Sequence, residues 1–247
     1  MIFYKVCMYL HMFSGFLATF LLFPINLLNR KGSSFHRFIG KATIYSTFVL
    51  TGAGLLMLLN PLFPNQFALV SKKHHWESFF AATYYEPAFF IWLDIITLYM
   101  VGSGVRIWSR IKSIYRQQPS YNYLDIFLVI AMAISSLFFI FVGFIDAKSH
   151  HPFSNVFIIL GFYLLLLSIL DLWTFRSSCR NFLLKWGWII HGYKMLFVWH
   201  GLITAYSLRM NVASPIDTTH PILSVSTRLV TIVVFFFYWK SKQNESS

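Results

Sequence analysis

Residues 11–41 read HMFSGFLATFLLFPINLLNRKGSSFHRFIGK, a long apolar run that stops at a basic turn and resumes as a second apolar run. The first run carries His11 and Gly15. The turn carries Lys31 and Gly32, and His36, Arg37 and Gly40 open the second run. A helix needs about 20 mainly apolar residues to cross the hydrocarbon core of a bilayer. Two such helices joined by a short basic turn are a membrane hairpin, and the rest of the chain repeats the pattern.

Composition agrees. Hydrophobic residues make up 57% of the 247 residues and charged residues only 11%, and 28 positions are Phe, so the chain lacks the polar surface needed to cover itself in water. The net charge of +12 does not point to nucleic acid, because the basic residues are scattered singly between apolar runs. Cys7 and Cys179 sit near opposite faces of the topology below, and no zinc-type spacing exists, so neither a disulfide nor a Cys-based metal site is expected. The first run has no small-residue cleavage pattern at its end and reads as a retained span.

Seven stretches are long and apolar enough to span: about 6–28, 37–59, 84–105, 126–145, 153–172, 186–207 and 221–239. Breakers separate them, among them Asn60-Pro61, Gln118-Pro119, His151-Pro152 and Ser214-Pro215. None alternates as a membrane strand would, so the expected fold is a single all-α transmembrane domain over 1–247, a bundle of about seven helices. Six spans, with the fifth or seventh lying in the interface, is the alternative. Lys and Arg fall 13 to 5 between the two sets of loops, which predicts the N-terminus outside and the C-terminus in the cytoplasm. Trp108, Trp173, Trp186, Trp188 and Trp239 lie at the cytoplasmic ends, as interfacial aromatics do.

Ionisable groups at membrane depth are costly, so each is a candidate site residue. On the second span His36, Gly40, Thr43, Thr47, Thr51 and Gly54 form one stripe, which reads first as close helix packing with the threonines bonded back to their own helix. His11 and Gly15 share a face of the first span. On the sixth span His191 and Met195 point the same way, whereas His200 faces the opposite side. Lys194 either snorkels or pairs with Asp171 at the end of the fifth span. Asp94 and Arg228 match in depth and are expected to form a buried ion pair between the third and seventh spans. Asp125 and Asp146 bracket the fourth span as boundary residues. His74 and His75, in the loop around 60–80, have no third ligand at a metal-binding spacing and read as solvated.

These residues resemble a family of bacterial predicted multi-span integral membrane proteins of unknown function. The likeness rests on His11 with Gly15, Lys31-Gly32, His36-Arg37 with Gly40, and His191 with Met195 ahead of Thr204-Ala205-Tyr206. Weaker matches are Gly102, Arg106, Asp125 and Asp171, while Lys194, His200 and Arg228 stand outside the pattern. The resemblance implies a multi-span fold in the bacterial inner (plasma) membrane and implies no activity.

Three functional readings follow. The leading one is a structural, assembly or sensor component whose partners are membrane lipid and other membrane subunits. A haem-binding redox protein is the first alternative, with haem b held by His36 and His191 and His11 as a further candidate ligand, although the chain lacks a span-wide histidine repeat. A transporter or proton-linked protein is the second alternative, built on the buried His, Asp, Lys and Arg. No nucleophile–base motif is present to suggest a lipid-active enzyme.

Overall fold

The computed structural model describes residues 2–29, 33–58, 85–117, 121–147 and 154–210. All regular structure among these residues is helical. In order, the elements are α1 (Ile2–Phe16), a π-helical segment (Leu17–Leu22), α2 (Phe23–Leu28), α3 (Ser34–Leu58), α4 (Tyr85–Tyr115), α5 (Tyr123–Ala147), α6 (Ser154–Trp173), a short turn of 3-10 helix (Ser177–Cys179) and α7 (Arg180–Met210). Among the described residues five helical stretches are long and apolar enough to cross a membrane: Ile2–Leu28, Ser34–Met57, Phe90–Tyr115, Tyr123–Ile145 and Ser154–Trp173.

This count is smaller than the expected seven for two separate reasons. The seventh stretch, 221–239, lies outside the described residues. The sixth is a helix, α7, but His191, Lys194, His200 and the tryptophans Trp186, Trp188 and Trp199 dilute its apolar content, and it is not among the five. The third helix also runs ten residues beyond its expected end at 105, because Arg106, Arg110 and Lys112 are good helix formers that prolong it. It stops where Gln117 takes a left-handed conformation (φ 56°) ahead of Gln118-Pro119.

The chain divides into two compact units, residues 1–98 and 99–247. In the first, Pro24 shapes the N-terminal span. Its nitrogen has no proton to give to the Phe20 carbonyl, and its ring presses on that oxygen. The helix absorbs the mismatch by widening into the π segment just before it. α3 folds back antiparallel, with Ser46 Oγ donating to the Ser14 carbonyl at 2.9 Å and Gly15 opposite Leu50. Thr43, Thr47 and Thr51 donate to the carbonyls of Ile39, Thr43 and Thr47, so their hydroxyls stay within α3 as expected.

In the second unit α5 and α6 form an antiparallel pair in which each helix contributes a glycine. A methyl group on Gly143 would lie 2.9 Å from the Ser154 carbonyl oxygen, and one on Gly161 would lie 3.2 Å from that of Ser136. Only glycine lets the two backbones approach this closely. α4 and α7 pack through Ile107, Ile111, Ile114, Leu183, Leu184 and Ile190. The outward faces are apolar: Phe127 and Phe141 are 66% and 63% exposed, whereas the charged Lys194 is 2% exposed. That inversion suits lipid rather than water.

Candidate functional site

The polar groups of the second unit gather on one face of α4. Tyr99, Ser103, Arg106 and Arg110 follow at steps of four, three and four, the spacing of a single helical stripe. Each side chain reaches a different neighbour. Tyr99 Oη donates to Asp171 Oδ2 on α6 at 2.6 Å. Lys194 Nζ on α7 donates to the same oxygen at 2.5 Å and to Ser103 Oγ at 2.8 Å, and it lies 5.0 Å from the centre of the Tyr99 ring. The ammonium therefore has a carboxylate, a hydroxyl and an aromatic face around it. A buried charge in low dielectric needs such an arrangement.

Towards the ends of these helices the stripe continues as cationic groups. Arg110 Nη2 donates to both the carbonyl and the hydroxyl of Thr174, each at 2.8 Å, and Thr174 Oγ1 donates to the Asp171 carbonyl at 2.7 Å. The Arg110 guanidinium also lies 4.5 Å from the centre of the Phe175 ring. Arg106 forks onto Asp125, pairing Nε with Oδ1 and donating from Nη2 to Oδ2 at 2.9 Å. Asp125 does two tasks. It receives Arg106, and it caps α5 through a reciprocal pair in which Asn122 N donates to Asp125 Oδ2 and Asp125 N donates to Asn122 Oδ1. Arg180 completes the set by donating to the Ile114 carbonyl in the last turn of α4, an oxygen that also accepts from Gln117 N.

His191 and Met195 meet α4 at one residue, Gly104. His191 Nδ1 lies 2.9 Å from the Gly104 carbonyl oxygen, and its ring packs edgewise on Trp108. A carbonyl can only accept, so this nitrogen carries the proton. A methyl group on Gly104 would come within 2.6 Å of Met195 Cε and 3.1 Å of Lys194 Cβ. The late His-x3-Met motif thus seats α7 on a glycine of α4 and brings Lys194 into place.

In the first unit His11 Nδ1 lies 3.0 Å from the Leu50 carbonyl and His36 Nδ1 lies 3.2 Å from that of Asn26. Gly40 faces the Asn26 amide, and Arg37 is exposed. Asp94 lies on α4 against Gly54 and His11.

Of the residues expected to act together, Asp171 and Lys194 are joined. His36 and His191 fall in separate units, one against Asn26 and the other against Gly104. Arg228 and Lys31-Gly32 lie outside the described residues, so the expected Asp94–Arg228 pair is not among the contacts seen. Cys7 and Cys179 are both buried free thiols. Among the described residues no group of three or more His, Cys, Asp or Glu is arranged to hold a metal ion. The Arg106–Asp125 and Tyr99–Asp171 contacts were not expected from the sequence. The four-three-four spacing of Tyr99, Ser103, Arg106 and Arg110 was the available signal.

What fold and site define together is a chain whose described regular structure is all helical, with several helices long and apolar enough to cross a membrane, and with paired charges joining α4, α5, α6 and α7. No known family profile, curated protein or solved structure matches the chain.

Proposed function

We propose that this chain is a multi-pass membrane protein serving as a structural, assembly or sensor component, and that its buried charges form a clasp rather than a reaction centre. The observation that carries this reading is the Lys194–Asp171 pair. The ammonium is enclosed by Asp171, Ser103 and the Tyr99 ring, and Asp171 is shared by Lys194 and Tyr99, so one pair draws α4, α6 and α7 together. Arg106–Asp125 adds α5 to the same assembly. Polar contacts of this kind bind membrane helices where the hydrophobic effect between them is absent.

The proposal includes seven spans, an N-terminus outside, a C-terminus in the cytoplasm of a bacterial inner membrane, and membrane lipid and other membrane subunits as partners. Its support is the loop distribution of Lys and Arg and the resemblance to multi-span bacterial membrane proteins.

An absorption spectrum with metal analysis of the detergent-purified protein is the test. A protein with no Soret band and no stoichiometric metal, after expression with haem supplied, is the expected result. A Soret band lost in both His36→Ala and His191→Ala would replace this reading with the redox one. Tags at the two ends are expected to be reachable from opposite faces of the membrane.

A further inference from the structure

The first unit holds a second polar site that the clasp does not use. A methyl group built on Gly54 of α3 would lie 3.1 Å from Asp94 Oδ2, 3.3 Å from His11 Nδ1 and 3.4 Å from His11 Cε1. The carboxylate of α4 and the imidazole of α1 therefore close together on the backbone of Gly54, an approach that a side chain at residue 54 would block. The His11 ring is held there by its bond to the Leu50 carbonyl.

The Arg106–Asp125 and Lys194–Asp171 ion pairs lie elsewhere. No described residue donates a hydrogen bond to Asp94. Of the groups packed at this point, α3 offers Gly54 and the Leu50 carbonyl, and α1 offers the titratable side chain of His11. A half-buried carboxylate within a membrane span is too costly to leave uncompensated.

We propose that His11 and Asp94, closed around Gly54, form a binding site for a single positive charge, either a proton or a small monovalent cation. Asp94 Oδ2 accepts the charge, and the imidazole of His11 stands beside it over Gly54. One carboxylate neutralises one charge, so a divalent ion is not the fitting ligand. The site goes beyond the clasp reading and does not depend on it, since no residue is shared between the two.

Dicyclohexylcarbodiimide, an apolar reagent that adds to protonated carboxyl groups, tests the proposal on the full-length protein in detergent. Labelling is mapped by peptide mass between about pH 5 and 9, in choline chloride and in sodium chloride. The expected result is labelling at Asp94, absent in Asp94→Asn. For a proton it falls about tenfold per pH unit above its midpoint. For a cation it falls at fixed pH when sodium replaces choline. His11→Gln is expected to move the midpoint, in pH or in sodium, by about tenfold in concentration. An Asp94 left unlabelled under every condition would mean that the protein itself supplies the neutralising charge, as an Asp94–Arg228 pair would, and the proposal would fall. Labelling indifferent to both pH and sodium, or a midpoint unmoved in His11→Gln, would overturn it equally.

Discussion

Replacing Lys194 by Met removes the ammonium from the clasp while keeping most of its stem. Asp171, buried and 9% exposed, then keeps only the Tyr99 hydroxyl, and Ser103 loses the donor it accepted from. Removing one partner of a buried ion pair costs about 3–5 kcal/mol, because a desolvated charge is left behind. At about 1.4 kcal/mol per tenfold, that lowers the folded-to-unfolded ratio by roughly two to four powers of ten. Interhelical hydrogen bonds in membranes are weaker, averaging about 0.6 kcal/mol, so the loss of Ser103 as a partner adds little. Asp171→Asn strands the opposite charge and is expected to cost a similar amount. The double variant, Lys194→Met with Asp171→Asn, leaves no charge unpaired and is expected to lie well above the sum of the two losses, with a coupling of about 2 kcal/mol or more. Reversible unfolding of the detergent-solubilised protein in rising dodecyl sulfate, followed by tryptophan fluorescence, reads all three. Additivity within about 0.5 kcal/mol would refute the reasoning, since it would mean that the two groups stand alone in energy as well as in sequence.

Other expectations follow from single contacts. Gly143→Ala is expected to cost about 1–3 kcal/mol, because its methyl meets the Ser154 carbonyl oxygen at 2.9 Å, whereas Gly52→Ala, facing open space, is expected to be neutral or to stabilise by up to about 1 kcal/mol. The same unfolding assay separates them, and equal effects would argue against the close α5–α6 approach. Arg106→Lys should cost about 1–2 kcal/mol, since a single ammonium cannot hold both Asp125 oxygens as the guanidinium fork does; full stability would show that the fork contributes nothing. His191→Phe should cost about 1 kcal/mol through the bond lost to Gly104, with faster hydrogen exchange in the turn around Trp108; unchanged exchange would separate His191 from the seating of α7.

The stretch from His11 to Lys41 was readable as a hairpin because a span leaves a local record: length, apolar content, and the break at its basic turn. The threonine stripe of α3 was readable for a similar reason, since a hydroxyl bonded to the carbonyl four residues back needs only its own helix. Asp171 could be named as a partner for Lys194, with snorkelling the alternative, because an ammonium inside a span needs one or the other. Asp125 could not be given its second role. As a residue opening α5 it already had a sufficient local task, and nothing nearby in the chain points to Arg106, 19 residues away.

The sequence alone determined that the described residues form helices, several of them long and apolar enough to cross a membrane, since hydrophobicity and periodicity are summed over neighbouring residues and need no partner. Only the tertiary structure decided which charges answer one another and why particular glycines stand where they do. Gly54 and Gly104 resemble any other small residue in a span until the opposing helix is in place. His11 with Asp94, and Met195 with Lys194, then occupy the space that a methyl group would have filled. Contact between helices distant in sequence depends on how close their backbones can come, a property of the pair that neither strand of residues carries by itself.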